Sequence, residues 1–562
     1  MRNIRLSMAA GAAALAMGLS ACGGGGQTGS TPEATQSQAS NTTLQADWNP
    51  QPYDNIADGG TLTTAITEIN PQMNVWHGDM TLYTSQLWKW YNPVTVTYEP
   101  DGTWAPDPDY FTDVSAEEKD GKTVVTYTIN DQAVWNDGSP IEWTAIEAGW
   151  KACGGSEEYS CNSTDGYNQI ESVKQGDNAK VAVVTFKTVF PWWKGLFNNL
   201  LNPEAVGPDV FDQGYLNNPH PEWGAGPYKV EKIDANAGVA SFVPNEKWWG
   251  DKGKLERRVF QQMEPSASIN AFKNGQVDAT GVSSEDRLAQ VKDLPNIEIR
   301  RGQDPSIALL ELNADSGALG DISVRQAVFS AVDREVIKQV VFKGLDYTEE
   351  PLGSLLIFPF QQGYEDNAGA AVTFDKAKSA ELLDAAGWTA GSDGIREKDG
   401  TKLSLNLPVF GDSVTAKNRA LALQSLLKDV GVDVVVKETP SADFAKVVPS
   451  KDWDLLILGF SSSDPFGAAY TAQIWASDST LNLSGTGTPE LDAQLKELAA
   501  LPTEEEQIAK ANEIEKLGFQ QYGLLPLYQG PSIVATKPGL ANFNDAASVF
   551  AQPRIEDIGW QK

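Results

Sequence analysis

The chain has 562 residues, of which 75 are acidic and 43 basic, giving a formal charge of −32. That balance excludes the basic footprint of a nucleic-acid-binding protein, and such an acidic surface repels anionic lipids and polymers. With 41% hydrophobic residues the chain supports a large core, and at this length more than one lobe.

Arg2 and Arg5 precede an Ala-rich apolar run, Leu6 to Leu19, which is too short for a comfortable membrane span and has the layout of a secretory signal. Leu19-Ser20-Ala21-Cys22 closes it. The small residues suit a peptidase, and the box resembles a bacterial lipobox, whose Cys thiol takes a lipid. Residues 1–22 are therefore expected to be a lipoprotein signal, with Cys22 lipidated and the protein held to the cell membrane by that anchor alone, outside the cytoplasm. Residues 23–58 contain Gly, Ser, Thr, Gln, Ala and Pro without Lys or Arg, a composition that buries too little apolar surface to fold. They read as a disordered tether reaching roughly 30–35 Å.

The chain then alternates strands and helices. Val124 to Ile129 alternates like a half-buried strand, and Val181 to Phe186, Tyr228 to Ile233, Ile307 to Leu312, Val432 to Val436 and Leu455 to Gly459 are further strands. Cys153 and Cys161 lie at short spacing in a loop-like stretch and, in an oxidising compartment, read as a disulfide; a soft-metal site is the alternative, but no His lies near in sequence. Ser323 to Phe342 reads as one helix, with Ser323 and Gln326 at capping-box spacing and Gly344 as stop. Asp375 to Ala386 and Lys417 to Val430 are further helices, and Thr488 and Thr503 each cap another. The pattern is α/β, with sheets covered by helices.

Catalytic signatures are absent. The two histidines, His77 and His220, are far apart, and there is no H-E-x-x-H, no G-x-S-x-G and no phosphate-binding glycine loop. Neither an enzyme, a cofactor nor a metal site is expected.

Several separated blocks resemble one family: Trp135-Asn136-Asp137-Gly138-Ser139-Pro140, Gly224-Ala225-Gly226-Pro227-Tyr228, Asn245-Glu246-Lys247-Trp248-Trp249, Ala271 to Ala279, Val324-Arg325-Gln326-Ala327-Val328 with Ala331 to Arg334, and Ala385-Ala386-Gly387-Trp388. Their order resembles the extracytoplasmic solute-binding proteins, family 5, of peptide and nickel ABC importers, including an actinobacterial branch with a lipoprotein linked to envelope mannolipid synthesis. The resemblance implies a two-lobed periplasmic-binding-protein-like clamp of class II. Its first lobe would take residues 59–305, with an extra subdomain near 100–220 and a C-terminal return at 530–562. Its second lobe would take 306–529, and two hinge strands would cross near Ile307 to Leu312 and Leu525 to Tyr528. It also implies a monomer that captures a peptide or similar extended oligomer and delivers it to ABC permease and ATPase subunits. The alternative is a same-fold lipoprotein that binds an envelope glycolipid or regulates its synthesis.

In peptide-binding relatives an Asp after a buried strand meets the ligand's α-ammonium. Here Ser461 and Ser462 stand at the matching Asp and Tyr positions, while Asp464-Pro465 is retained. A neutral Ser stabilises an ammonium less than a carboxylate does. The expected ligand is thus extended and mostly uncharged. Its cleft is expected to be lined by Asn70, Trp76 and His77 from the first lobe, and by Phe460, Ser461, Ser462, Asp464 and Trp475 from the second. Asp464 also reads as a plain turn residue before Pro, and the Asn70 to Asp79 stretch as a surface loop with one packed Trp.

Overall fold

Strict alternation builds the sheets. Thr123, Val125, Tyr127 and Ile129 point inward from Lys122–Ile129, and Ala182, Val184 and Phe186 do so from Val181–Phe186. The two strands pair antiparallel, Val125 opposite Val184 and Tyr127 opposite Ala182. With Phe111–Lys119 and Ile170–Gln175 they form a four-stranded sheet of their own. The helix Trp143–Cys153 buries Ala145 and Ile146 in the same core. This is a computed structural model that describes residues 47–562 except 100, 346, 348, 412, 441–442, 463, 480, 544–549 and 551–552, and, among those it does describe, not the side chains of 265, 305 and 445.

One eight-stranded sheet joins both halves of the molecule. Its order is Leu455–Ser461, Glu298–Leu312, Leu524–Thr536, Ala279–Gly281, Thr61–Ile66, Arg257–Gln262, Val239–Pro244 and Tyr228–Asp234. Glu298–Leu312 and Leu524–Thr536 are long, central and antiparallel to each other, and they carry the chain between lobes. Their first-lobe ends pair Glu298 with Thr536, and their second-lobe ends pair Glu311 with Leu524. We call them the first and second hinge strands. Glu311 is completely buried on the first of them, and burial pushes its carboxyl up to about 8. Beside them the second lobe adds the parallel pair Ser404–Phe410 and Asp433–Thr439, against which the helix Val414–Lys428 packs.

Two expectations from sequence are corrected. The helix expected over Ser323 to Phe342 is two helices, Ile322–Ser330 and Arg334–Val341. The Asp321 carboxylate, rather than Ser323, caps the first by accepting the Ser323 N–H at 2.9 Å. Asp333 caps the second by accepting the Val336 N–H at 3.2 Å. A short acidic side chain competes for backbone N–H groups and so starts a new helix instead of continuing the old one. The expected tether also ends early. Ile56 is fully buried, and Ile56–Ala57 pairs with the C-terminal strand Gly559–Gln561. Asn542 Oδ1 accepts the Gln51 N–H at 2.8 Å. One apolar side chain and a free strand edge suffice to dock this stretch. Residues 1–46, with the Cys22 box and most of the tether, lie outside the described residues.

Candidate ligand-binding cleft

The hinge strands do not pair evenly. Gln303 lies opposite Pro531 and Ile307 opposite Gln529, so Asp304, Pro305 and Ser306 face the single residue Gly530. Such a bulge breaks the ladder and re-aims side chains. It opens onto a cavity of about 650 Å³, within the size range of small-molecule sites. Thr64, Thr280 and Arg287 line it from one side of the hinge, and Ser413, Arg419 and Ser461 from the other. The bulge itself contributes Asp304 and Ser306. The Arg287 guanidinium donates to the Gly281 carbonyl and to Ser268 Oγ, and burial lowers its pKa. Arg419 Nη1 donates to the Tyr528 hydroxyl at 2.8 Å. A second cavity, of about 570 Å³, lies alongside, and Gln86 and Phe543 border both. Its walls include Trp76, Tyr98, Asn162, Ser462, Asp464 and Glu556. Burial pushes the Glu556 carboxyl up to about 7.

The structure divides the residues singled out from sequence. Ser461 ends the strand Leu455–Ser461 and faces the first cavity, with its hydroxyl 2.6 Å from Ser306 Oγ on the neighbouring hinge strand. Trp76, Ser462 and Asp464 meet in the second cavity. Asp464 is a turn residue as well: it accepts the Phe466 N–H at 2.8 Å and the Tyr470 hydroxyl at 2.6 Å. The other four are placed elsewhere. Phe460 lies on the opposite face of its strand from Gly459 and Ser461 and packs against a core shared by second-lobe residues with Val96, Tyr98 and Trp192, as period-two alternation requires. Trp475 is 1% exposed, edge-on to Phe519 with ring centroids 5.0 Å apart, and borders neither cavity. His77 is buried; its Nδ1 accepts the Asp79 N–H at 2.9 Å, and burial lowers its pKa. Asn70 folds its own loop, accepting the Gln72 N–H and donating to the Asp79 carbonyl. Cys153 and Cys161 are joined, with Cα atoms 5.4 Å apart. The linked segment lies against the same loop, where Gly78 N–H donates to the Ser160 carbonyl and Asn162 N–H to the Trp76 carbonyl. Sequence reasoning missed Asp304 and Arg419, which lie in a polar tract and on an amphipathic helix.

The lobes also touch on a seam away from the hinge. Trp192 Nε1 donates to Gln507 Oε1 at 2.6 Å, and Lys194 Nζ lies 2.9 Å from Glu504 Oε1. Tyr98 and Trp192 both approach Phe466, with ring centroids 6.2 Å away in each case.

A sheet shared by two lobes, two crossing strands and a cavity at the crossing define a clamp that encloses a solute. The model of bacterial extracellular solute-binding proteins, family 5 Middle, matches residues 105–482. The oligopeptide-binding protein OppA of Mycobacterium tuberculosis is 32% identical over 538 residues, covering 94% of this chain and 90% of that one. The probable monoacyl phosphatidylinositol tetramannoside-binding protein LpqW of the same species is 27% identical over 378 residues, covering 62% of this chain and 58% of that one. The structure of a periplasmic EDTA-binding protein, EppA, superposes with a TM-score of 0.81 at 25% identity, over 94% of this chain and all of that one. The chain belongs to the family 5 extracellular solute-binding proteins. It is accordingly a binding protein and not an enzyme.

Proposed function

We propose that this protein is the substrate-binding subunit of an ABC importer and that it captures a peptide or a similar extended solute at the hinge. The observation that carries the reading is the cavity of about 650 Å³ between the lobes, bordered by both hinge strands and rich in hydroxyl groups suited to backbone N–H and C=O partners. The extent of the likeness to OppA supports a peptide over other solutes. A ligand that touches both lobes binds the closed form better and so shifts the population toward it. The closed pair is then the surface that a permease with its ATPase reads. Lipid on Cys22 would hold the protein at the membrane, and Cys22→Ala would release it.

The test is native mass spectrometry of the chain lacking its first 22 residues, purified from its own host and then exposed to a tryptic digest of casein. Retained peptides of several residues are the expected result. A co-purifying mannolipid with no retained peptide would overturn the reading and favour a role like the one LpqW's name describes.

A further inference from the structure

We propose that the Asp304 carboxylate is the docking point for a protonated amine of the bound solute. This rests on the reading of the hinge cavity as the solute site.

Three observations converge on Asp304. The bulge takes it out of the sheet ladder and puts it on the cavity wall. Its position is built: Gln529 Nε2 donates to its backbone carbonyl at 2.9 Å, and its Oδ1 accepts the Ser306 N–H at 2.9 Å. Among the described residues no cation forms an ion pair with it. Burial raises its pKa, and Ser306 hydrogen bonds oppose that. The cavity's guanidiniums donate to neutral acceptors rather than to this carboxylate, Arg287 to the Gly281 carbonyl and Ser268, and Arg419 Nη1 to the Tyr528 hydroxyl.

Asp304 is half-buried on the cavity wall, and a cation beside it would offset the desolvation that raises its pKa. That cation is the solute's protonated amine. An ammonium carries three N–H donors and needs several acceptors around one point. The Asp304 carboxylate offers charge, and the Ser306–Ser461 hydroxyl pair, 2.6 Å apart on the same wall, offers further acceptors. Ser461 therefore does not leave the cleft without a carboxylate. The charge sits on the neighbouring strand, and the solute is an amine-bearing one rather than the uncharged oligomer expected from sequence.

Asp304→Asn tests this cleanly, because the amide oxygen still accepts the Ser306 N–H and preserves the bulge. Wild type and variant are each incubated with a tryptic digest of casein and with the same digest acetylated at every amine, and retained peptides are quantified by mass spectrometry after gel filtration. Wild type is expected to retain the free-amine digest at least about tenfold better, and the variant to lose that preference. An equal preference in wild type and variant, or no preference in wild type, overturns the proposal. Retention of neither digest by wild type refutes the peptide reading alone. The thermal shift with spermidine then decides on Asp304: a rise in wild type that Asp304→Asn abolishes supports it, and no rise, or the same rise in both, overturns it.

Discussion

Trp192→Phe attacks the seam that holds the lobes together opposite the hinge. In the native protein the buried Trp192 Nε1 donates to Gln507 Oε1 at 2.6 Å. Phe keeps an aromatic ring against Phe466 but leaves the Gln507 oxygen without its donor. Stranding one buried partner costs about 1–3 kcal/mol. At about 1.4 kcal/mol per factor of ten, the closed-to-open ratio should fall by roughly 5- to 150-fold. The neighbouring Lys194–Glu504 pair is partly exposed and worth under about 1 kcal/mol, so it cannot hide the loss. Apparent affinity should drop by up to the same factor, because only the closed fraction grips both sides of a solute. Spin labels at the exposed positions Glu117 and Glu490 report the lobe separation, and calorimetry with casein peptides reports affinity. A folded variant with an unchanged distance distribution and unchanged affinity would refute the claim that this seam stabilises closure.

Three further outcomes are expected. Phe460→Ala should cost about 2 kcal/mol in a denaturant melt, below the roughly 3–5 kcal/mol of a fully buried Phe, and leave peptide affinity within twofold. A tenfold affinity loss at unchanged stability would put the ring back in the cleft. Replacing Cys153 and Cys161 by Ser opens a loop of sequence separation 8 and should cost about 2–3 kcal/mol, seen as a lower Tm; an unchanged Tm would show that the link constrains nothing. Glu311 is raised from 4.5 to about 8 in the folded protein, so the folded state binds its proton more tightly than the unfolded one. Its stabilising contribution is complete below about pH 4.5 and is lost as pH rises to about 8. Glu311→Gln should flatten that decline in urea midpoints measured across the range, and an identical slope in the variant would rule Glu311 out as its source.

Much of the scaffold was legible because local chemistry and tertiary packing agreed. Val181–Phe186 was readable to the residue, since each inward position is apolar and each outward one is less buried. The first hinge strand was only half readable. Ile307 to Leu312 is apolar except for Glu311, but Glu298 to Gln303 is mostly polar and is a strand only because Leu524–Thr536 supplies its partners. The break at Asp333 was hidden for the opposite reason: the apolar period runs on across it, and only the cap changes. In the cleft, motif position singled out Ser461, which borders the first cavity, while strand alternation turns its neighbour Phe460 to the other face. Trp475 and His77 carry side chains suited to ligands, yet burial turns both to structural use. Asp304 sits in Gly302-Gln303-Asp304-Pro305-Ser306, which reads as an ordinary turn. A bulge arises from the register of two strands more than 200 residues apart, and neither segment alone encodes it.

The two ends of the described chain meet on one lobe. Ile56–Ala57 adds to Gly559–Gln561, Lys562 N–H donates to the Asn55 carbonyl at 3.0 Å, and Asp47 N–H donates to the Arg301 carbonyl at 3.0 Å. A pull on the segment before Asp47 is therefore carried first to Arg301 on the first hinge strand and then into this small sheet. That contact lies at the first-lobe end of the hinge strand, short of the bulge. The second lobe is a free arm, whose swing is set by the solute and the seam and not by tension from whatever holds the N-terminal side. If lipid on Cys22 anchors the chain as proposed, an anchored copy and a released copy should open and close alike and bind solute equally tightly.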